Sequence, residues 1–157
     1  MSNRTVLFLL CAVNVAVLAS ALHGIDLSTV AVDSFTCLRG QGYDFVVSRA
    51  WKKDGSYDAS AIQNVKAALN AGFSWADVYL FPCAQKNPRD QVQQLIQQMD
   101  KDLQAETHEA RFLAAENATA GYGRIWVDVE TNPQEGCGWG SDVGSNCDFI
   151  KNMVNEI

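Results

Sequence analysis

Two acidic side chains that stand two positions apart, Asp128 and Glu130, could perform acid catalysis together. Both belong to the apolar stretch Arg124–Glu130 (RIWVDVE), the clearest predicted strand in the chain. Side chains alternate between the faces of a strand, so Trp126, Asp128 and Glu130 are expected to share one face. Two carboxylates this close cannot both ionise freely near neutral pH, and the pKa of one should rise. A protonated carboxyl beside an ionised one is what cleavage of a glycosidic bond requires.

Further candidate side chains stand at the ends of other predicted strands. Asp26 ends an apolar segment near the start of the chain, and Trp51 and Tyr79 end two more. Catalytic groups in βα architectures lie at the carboxyl ends of the strands, so these residues predict an acidic, aromatic-lined cleft there. Two alternatives stay open at this point. Trp51 and Tyr79 could be ordinary core residues, and Asp128 could cap a loop while the Glu130 carboxylate is solvated.

Composition and motifs argue against several other kinds of chemistry. The 157 residues carry 12 Lys and Arg against 18 Asp and Glu, a net charge of −6, which disfavours a nucleic-acid partner. Neither of the phosphate-binding motifs G-x-x-x-x-G-K and G-x-G-x-x-G occurs, which disfavours a nucleotide ligand. The two histidines, His23 and His108, are not accompanied by a serine in a nucleophile-elbow motif. Cys83 could act as a nucleophile, but a disulfide is the favoured interpretation.

The first 21 residues are typical of a secretory signal peptide. Arg4 precedes the apolar run 6–18, and the small residues at 19–21 match a cleavage site after Ala21. The run is shorter than the roughly 20 apolar residues that a membrane span needs. The sequence thus predicts a single domain over 22–157, located outside the cell or in a lysosomal or phagosomal lumen, with no membrane association after cleavage.

Four cysteines follow the signal peptide, and an even count in an oxidising compartment predicts two disulfides. Three pairings of Cys37, Cys83, Cys137 and Cys147 are possible, and the spacing does not choose among them. A zinc site is disfavoured because no C-x-x-C and no suitably spaced His accompanies these cysteines. Asn117 begins a glycosylation sequon in a polar stretch.

Predicted strands and helices alternate along the chain, which is typical of parallel βαβ units. Strands are predicted over 22–27, 44–50, 76–81 and 124–130. Helices are predicted over 33–41, 59–71, 88–103 and 147–156, with a further polar, Ala-rich helix within 106–121. A doubly wound sheet and a (β/α) barrel both fit this order. A complete barrel has eight units in about 250 residues, so four units predict the first half of one.

Several segments together resemble family 25 glycoside hydrolases, the Chalaropsis-type lysozymes. Residues 24–28 (GIDLS) resemble the opening of that family, 79–81 (YLF) its third strand and 127–130 (VDVE) its D-x-E motif. The sequences of 49–51 (RAW) and 77–83 (DVYLFPC) are similar to those of the invertebrate and protist branch of this family. The resemblance runs from about Gly24 to the end of the chain.

This resemblance implies a flattened (β/α) barrel that hydrolyses the β-1,4 bond between N-acetylmuramic acid and N-acetylglucosamine in peptidoglycan. It implies Glu130 as the general acid, Asp128 as the group that stabilises developing positive charge or orients the acetamido group, and Asp26 as an accessory carboxylate. No metal or cofactor is implied. The expected substrate-binding residues are Tyr79, Trp51, Arg49 and Trp126.

The chain also departs from the family pattern in ways that affect the expected function. Lys52 and Lys53 stand where many bacterial members have an acid and Gly, Leu80 replaces a His, and the link over 104–121 is long. The four predicted units do not account for the family's later strands, and a half barrel with unpaired edges is expected to aggregate or to dimerise. Three alternatives to an active lysozyme remain: a secreted glycan-binding protein without turnover, an incomplete gene product, and a structural domain.

Overall fold

A computed structural model of the chain describes residues 21–104 and 121–157. The predicted helix within 106–121 and the sequon at Asn117 lie outside the described residues, as do positions 1–20 of the predicted signal peptide. No helix within the described ranges combines the length and the apolar character needed to cross a membrane.

Strands and helices alternate in the described residues, apart from one short extra strand. The strands are β1 (Gly24–Leu27), β2 (Phe45–Lys52), β3 (Ser56–Tyr57), β4 (Trp75–Leu80) and β5 (Ile125–Val127). The helices are α1 (Phe35–Gly40), which a 3₁₀ turn over Val32–Ser34 precedes, α2 (Ser60–Asn70), α3 (Pro88–Gln104) and α4 (Val143–Val154).

The main strands form a parallel sheet in the order β1-β2-β4-β5, and β3 pairs with β2 in the antiparallel sense. The predicted parallel α/β architecture is therefore confirmed. Successive helices contact one another, α1 with α2, α2 with α3 and α3 with α4, so they form one layer. A sheet covered by a single helix layer is compatible with part of a (β/α) barrel. The assignment as the first half of a barrel stays a prediction.

Side chains on alternate positions of β2 and β4 form the core beneath the helices. Val46 and Ala50 of β2 and Val78 and Leu80 of β4 are fully buried. The edge-to-face ring pair of Phe35 and Phe73 closes one end of this core, with 5.9 Å between ring centroids. The intervening residues of each strand point to the opposite face, which is where the candidate site lies.

Local capping explains where two helices begin. Pro88 starts α3, and the Asn87 side-chain oxygen accepts hydrogen bonds from the following Arg89 and Asp90 amides. Asp142 caps α4 by accepting from the Ser145 amide at 2.7 Å. Because of this cap, α4 starts at Val143 and not at the predicted Cys147.

The structure forms one of the two expected disulfides. Cys83, after β4, is bonded to Cys137, in the loop that follows β5, across 54 residues of sequence. Cys37 and Cys147 are exposed and unpaired, so the expectation that all four cysteines pair is wrong for this structure. Cys37 lies on α1 and Cys147 on α4.

Candidate functional site

The Asp128 and Glu130 carboxyls lie at the carboxyl edge of the sheet. β5 ends at Val127, one residue before Asp128, so it is shorter than the predicted strand 124–130. The Asp128 amide donates to the Leu80 carbonyl at 2.9 Å, which carries the pairing with β4 just beyond the strand end. Parallel strands place their carboxyl ends at one edge, so these acids lie near Tyr79 at the end of β4.

Asp128 and Glu130 form a hydrogen-bonded carboxyl pair with a third carboxylate close by. Partial burial raises the pKa of Asp128, and the neighbouring Glu130 charge, the hydrogen bond with Glu130 and the Asp26 charge raise it further. The pair therefore holds a proton to higher pH than an isolated aspartate. The sequence-based expectation of a raised pKa holds for Asp128, and the Asp26 charge acts on the same group.

Tyr79 and Arg49 stand beside this carboxyl cluster on neighbouring strands. They are register partners in the β2–β4 pairing. The pKa of the half-buried Tyr79 phenol is raised, mainly by burial, with Arg49 opposing the shift and Asp128 and Asp26 adding to it. Tyr79 is therefore a neutral hydrogen-bonding group near the carboxyls.

Arg49 is engaged by fixed partners in the protein. Its Nη2 lies 2.8 Å from the Asp58 carboxylate, its Nε donates to the same oxygen at 2.9 Å, and Nη2 also donates to the Ser28 carbonyl at 2.9 Å. The guanidinium thus joins the loop after β1 to the start of α2, and it forms part of the cleft wall.

An open cavity of about 320 Å³ adjoins this cluster. It contains the predicted residues Arg49, Tyr79 and Glu130 together, with both aromatic and charged side chains in its wall. The other lining residues are Ser28, Lys52, Lys53, Asp54, Phe81 and Gln134. A cavity of this size can accommodate a sugar ring, and Phe81 and Tyr79 provide the apolar surface on which such a ring packs.

Trp51, expected to contact substrate, lies in the core instead. Its side chain is 2% exposed, and the indole N–H donates to the Gln91 side-chain oxygen at 3.2 Å. The physical reason is a bulge in β2: Arg49 pairs with Tyr79 but Trp51 pairs with Leu80, so the strand gains one residue and Trp51 turns toward the helices. The substrate-binding prediction for Trp51 is therefore corrected to a structural role.

Trp126, which is 48% exposed, lies outside the cavity that Glu130 and Tyr79 share. Its indole N–H donates to the buried Asp77 carboxylate at 2.8 Å, and the Arg124 amide donates to the other oxygen at 2.9 Å. Asp77 thereby joins the start of β5 to β4. Trp126 lines a separate cavity of about 560 Å³ between β5 and α3.

Two buried amide side chains, which the sequence analysis did not single out, fix the loops around the site. Asn64 of α2 accepts from the Ala31 amide at 3.0 Å and donates to the Thr29 carbonyl at 2.8 Å, which holds the loop after β1. Gln91 of α3 accepts from the Cys83 amide at 2.9 Å and from Trp51. The sequence feature that could have identified both residues is an amide side chain within or beside the apolar stripe of a predicted helix.

A third buried amide, Asn132, connects three loops at the carboxyl edge. Its Nδ2 donates to the Lys53 carbonyl at 2.8 Å and to the Pro82 carbonyl at 2.9 Å, while its Oδ1 accepts from the Gln134 amide at 2.9 Å. Asn132 is two residues from Glu130 in sequence, so these bonds fix the segment that carries Glu130. No local sequence signal distinguishes it from a solvated loop residue.

The described ranges contain no group of three or more His, Cys, Asp or Glu side chains arranged to hold a metal ion. The fold and the site therefore define a parallel α/β protein with a hydrogen-bonded carboxyl pair in an open cleft at the carboxyl ends of its strands.

Comparison with known proteins identifies the family. The family model described as "Lysozyme-like protein 1" matches residues 18–157. The chain belongs to this lysozyme-like family, and its relatives include proteins named as family 25 glycoside hydrolases. No solved structure matches the chain.

Three relatives illustrate the range of names within the family. "Probable GH family 25 lysozyme 2" of Dictyostelium discoideum is 33% identical over 86% of this chain and 55% of its own length. "Lysozyme-like protein 5" of Caenorhabditis elegans is 31% identical over 90% and 58%. "Counting factor 45-1" of Dictyostelium discoideum is 30% identical over 98% and 48%. The chain thus spans about half the length of these relatives.

Proposed function

We propose that this chain carries the acid-catalytic site of a secreted lysozyme, which hydrolyses the β-1,4 bond between N-acetylmuramic acid and N-acetylglucosamine in peptidoglycan. The observation that carries the proposal is the hydrogen-bonded pair of Asp128 and Glu130, in which the pKa of Asp128 is raised. Family membership supports the same reaction class. The predicted signal peptide supports a location outside the cell or in a lysosomal or phagosomal lumen.

The carboxyl pair suits glycoside hydrolysis because it retains one proton at mildly acidic pH. The raised pKa of Asp128 places this proton on Asp128 in the resting site. In the reaction the proton passes within the pair to Glu130, whose side chain lines the cavity, and Glu130 donates it to the glycosidic oxygen as the bond from that oxygen to the anomeric carbon breaks, which leaves Asp128 ionised. Asp128 stays beside the reacting carbon and stabilises the positive charge that develops there, directly or by orienting the acetamido group. Water then adds to the anomeric carbon, and the proton it loses returns through Glu130 to the carboxyl pair, which restores the site.

Asp26 and Tyr79 support this chemistry from neighbouring strands. The Asp26 charge helps keep a proton on the pair, because it raises the pKa of Asp128. The neutral phenol of Tyr79 can donate a hydrogen bond to a sugar hydroxyl while its ring forms part of the cavity wall.

A direct test uses residues 22–157, expressed under oxidising conditions and incubated with purified peptidoglycan. Mass spectrometry of released fragments would score new reducing-end N-acetylmuramic acid, with Glu130→Gln as the matched isosteric control. Release by the parent and its loss in Glu130→Gln are expected. Release that survives the substitution would contradict the role of Glu130.

Glycan binding without turnover is a second outcome that the same preparation can reveal. If the soluble, folded parent binds glycan but releases nothing, the cleft acts as a binding site without turnover. In that case Tyr79→Ala should weaken glycan binding, whereas Glu130→Gln should not.

A further inference from the structure

Two adjacent lysines form one wall of the cavity that contains Glu130. Lys52 is the last residue of β2, and Lys53 follows it in the turn to β3; both line the cavity with Tyr79 and Phe81. The chain as a whole is acidic, with a net charge of −6. A pair of cations in the cleft of an acidic protein is therefore a local feature that the overall charge does not explain.

The Lys52 charge helps lower the pKa of Asp54 in the same wall, but the ammonium groups of the two lysines are not held by direct contacts. Neither side chain has a hydrogen-bond or ion-pair partner within residues 21–104 and 121–157. By contrast, the third cation of the cavity, Arg49, is paired with Asp58 at 2.8 Å. Asp54, an acid in the same wall, already accepts from the Ser56 amide at 3.1 Å and the Ser56 hydroxyl at 2.6 Å.

The backbone that carries the two lysines is held in place from several sides. Gly55 adopts a left-handed conformation, with φ at 71°, and its amide donates to the Lys52 carbonyl at 2.9 Å to close the turn. Lys86 donates to the Asp54 and Gly55 carbonyls at 2.8 and 3.1 Å, and Asn132 donates to the Lys53 carbonyl. Because the turn is already fixed, binding an anion has to order only the two lysine side chains.

We propose that Lys52 and Lys53 form an anion-binding wall of the cleft, which takes a carboxylate carried by the glycan that lies beside Glu130. Ammonium groups act as compact charged donors, and hydrogen bonds between ions are stronger than those between neutral groups. The proposal rests on the proposed function, because it concerns the substrate of the same cleft. The carboxylate has two sources in peptidoglycan: the lactyl group of N-acetylmuramic acid and the end of an attached peptide.

Binding measurements can test the wall independently of turnover. Isothermal titration in the Glu130→Gln background would compare four ligands. They are chitotetraose, a peptide-free tetrasaccharide of alternating N-acetylglucosamine and N-acetylmuramic acid, the same tetrasaccharide with its lactyl carboxyls converted to primary amides, and the same tetrasaccharide with its lactyl carboxyls joined by amide bonds to a peptide that ends in a free carboxylate. Lys52→Gln/Lys53→Gln is the test variant. Lys101→Gln/Lys151→Gln, which removes two exposed lysines on α3 and α4, is the charge-matched control.

The test variant should bind the carboxylated tetrasaccharide roughly tenfold more weakly than the control does, and chitotetraose equally well. A loss confined to the peptide-bearing ligand would support the wall and assign the peptide as the source of the carboxylate. Equal affinity of the test and control variants for every carboxylated ligand would overturn the proposal. Absence of glycan binding by the Glu130→Gln parent would also overturn it.

Hydrolysis by the wild-type chain separates the two proposals. If wild type releases no fragments but the lysine variant shows the selective loss of binding, the proposed enzymatic function fails and the anion-binding wall stands. If wild type hydrolyses peptidoglycan and the lysine variant does so with an unchanged KM, the wall fails and the enzyme stands.

Discussion

The side-chain nitrogen of Asn132 lies 2.8 Å from the carbonyl oxygen of Lys53, a residue 79 positions earlier in the chain. This bond joins the segment after Glu130 to the turn that bears the two cavity lysines. The same nitrogen donates to the Pro82 carbonyl. The residue after Pro82 is Cys83, which is bonded to Cys137. The carboxyl edge of the sheet is thus connected through one buried amide and one covalent bond.

Asn132→Asp tests the buried amide with almost no change in shape. The new carboxylate oxygen would face two carbonyl oxygens in place of the amide donor, so the free energy of unfolding should fall by about 3 kcal/mol. Chemical denaturation would measure this. Asn70→Asp, at an exposed position at the end of α2, adds the same charge and should change stability by less than about 0.5 kcal/mol. Equal effects of the two substitutions would rule out the connecting role.

Asp128→Asn should remove activity and raise stability at neutral pH. The folded-state pKa of Asp128 lies above its unfolded value, so its contribution to stability is full below the unfolded pKa and is lost as pH rises through the folded pKa. At pH 7 the substitution removes that penalty, and the melting temperature should rise by on the order of 1–2 °C. Thermal unfolding at pH 3 should show no such gain, and neither should the exposed Asp33→Asn at pH 7.

Asp26→Asn should shift the titration of the carboxyl pair toward acid. The Asp26 charge helps raise the pKa of Asp128, so its removal lets the pair lose its proton at lower pH. The alkaline limb of kcat/KM should move to lower pH, and carbon NMR of the Asp128 carboxyl would follow the titration without relying on activity. An unchanged Asp128 titration would contradict the proximity of the two groups.

Removal of the Cys83–Cys137 disulfide should destabilise the fold, whereas removal of the other two cysteines should not. A closed loop of 54 residues corresponds to about 4 kcal/mol in the chain-entropy account, so the double Ala variant should lose about 2–4 kcal/mol of unfolding free energy. Cys37→Ser/Cys147→Ser changes two exposed, unpaired residues and serves as the control. A comparable loss in the control would show that Cys37 and Cys147 also pair.

The sequence predicted the features that depend on neighbouring residues. Asp128 and Glu130 stand two positions apart, so the part of the raised Asp128 pKa that comes from the Glu130 charge follows from the sequence. The largest cause, partial burial, comes from the fold, and β5 ends at Val127, before both acids. The parallel α/β class follows from the alternation of apolar stretches with amphipathic ones, which is also local. The sequence did not predict β3, because a strand of two residues is too short to show an alternation of apolar and polar side chains.

Trp51 shows where local reasoning failed. Alternation along β2 gives no sign of the bulge between Arg49 and Trp51, because a bulge depends on how β2 pairs with β4. One extra residue turns the following side chain to the other face, and an expected substrate contact becomes a core residue.

The sequence by itself therefore determined the family, the parallel α/β class and the carboxyl pair. Only the tertiary structure decided which cysteines pair, which of the predicted aromatics reaches the cleft, and that Asn132 fixes the loops around Glu130. The physical reason is distance along the chain: Cys83 and Cys137 are 54 residues apart, and Lys53 and Asn132 are 79. Contacts of that separation depend on sheet order and register, which no local pattern of residues records.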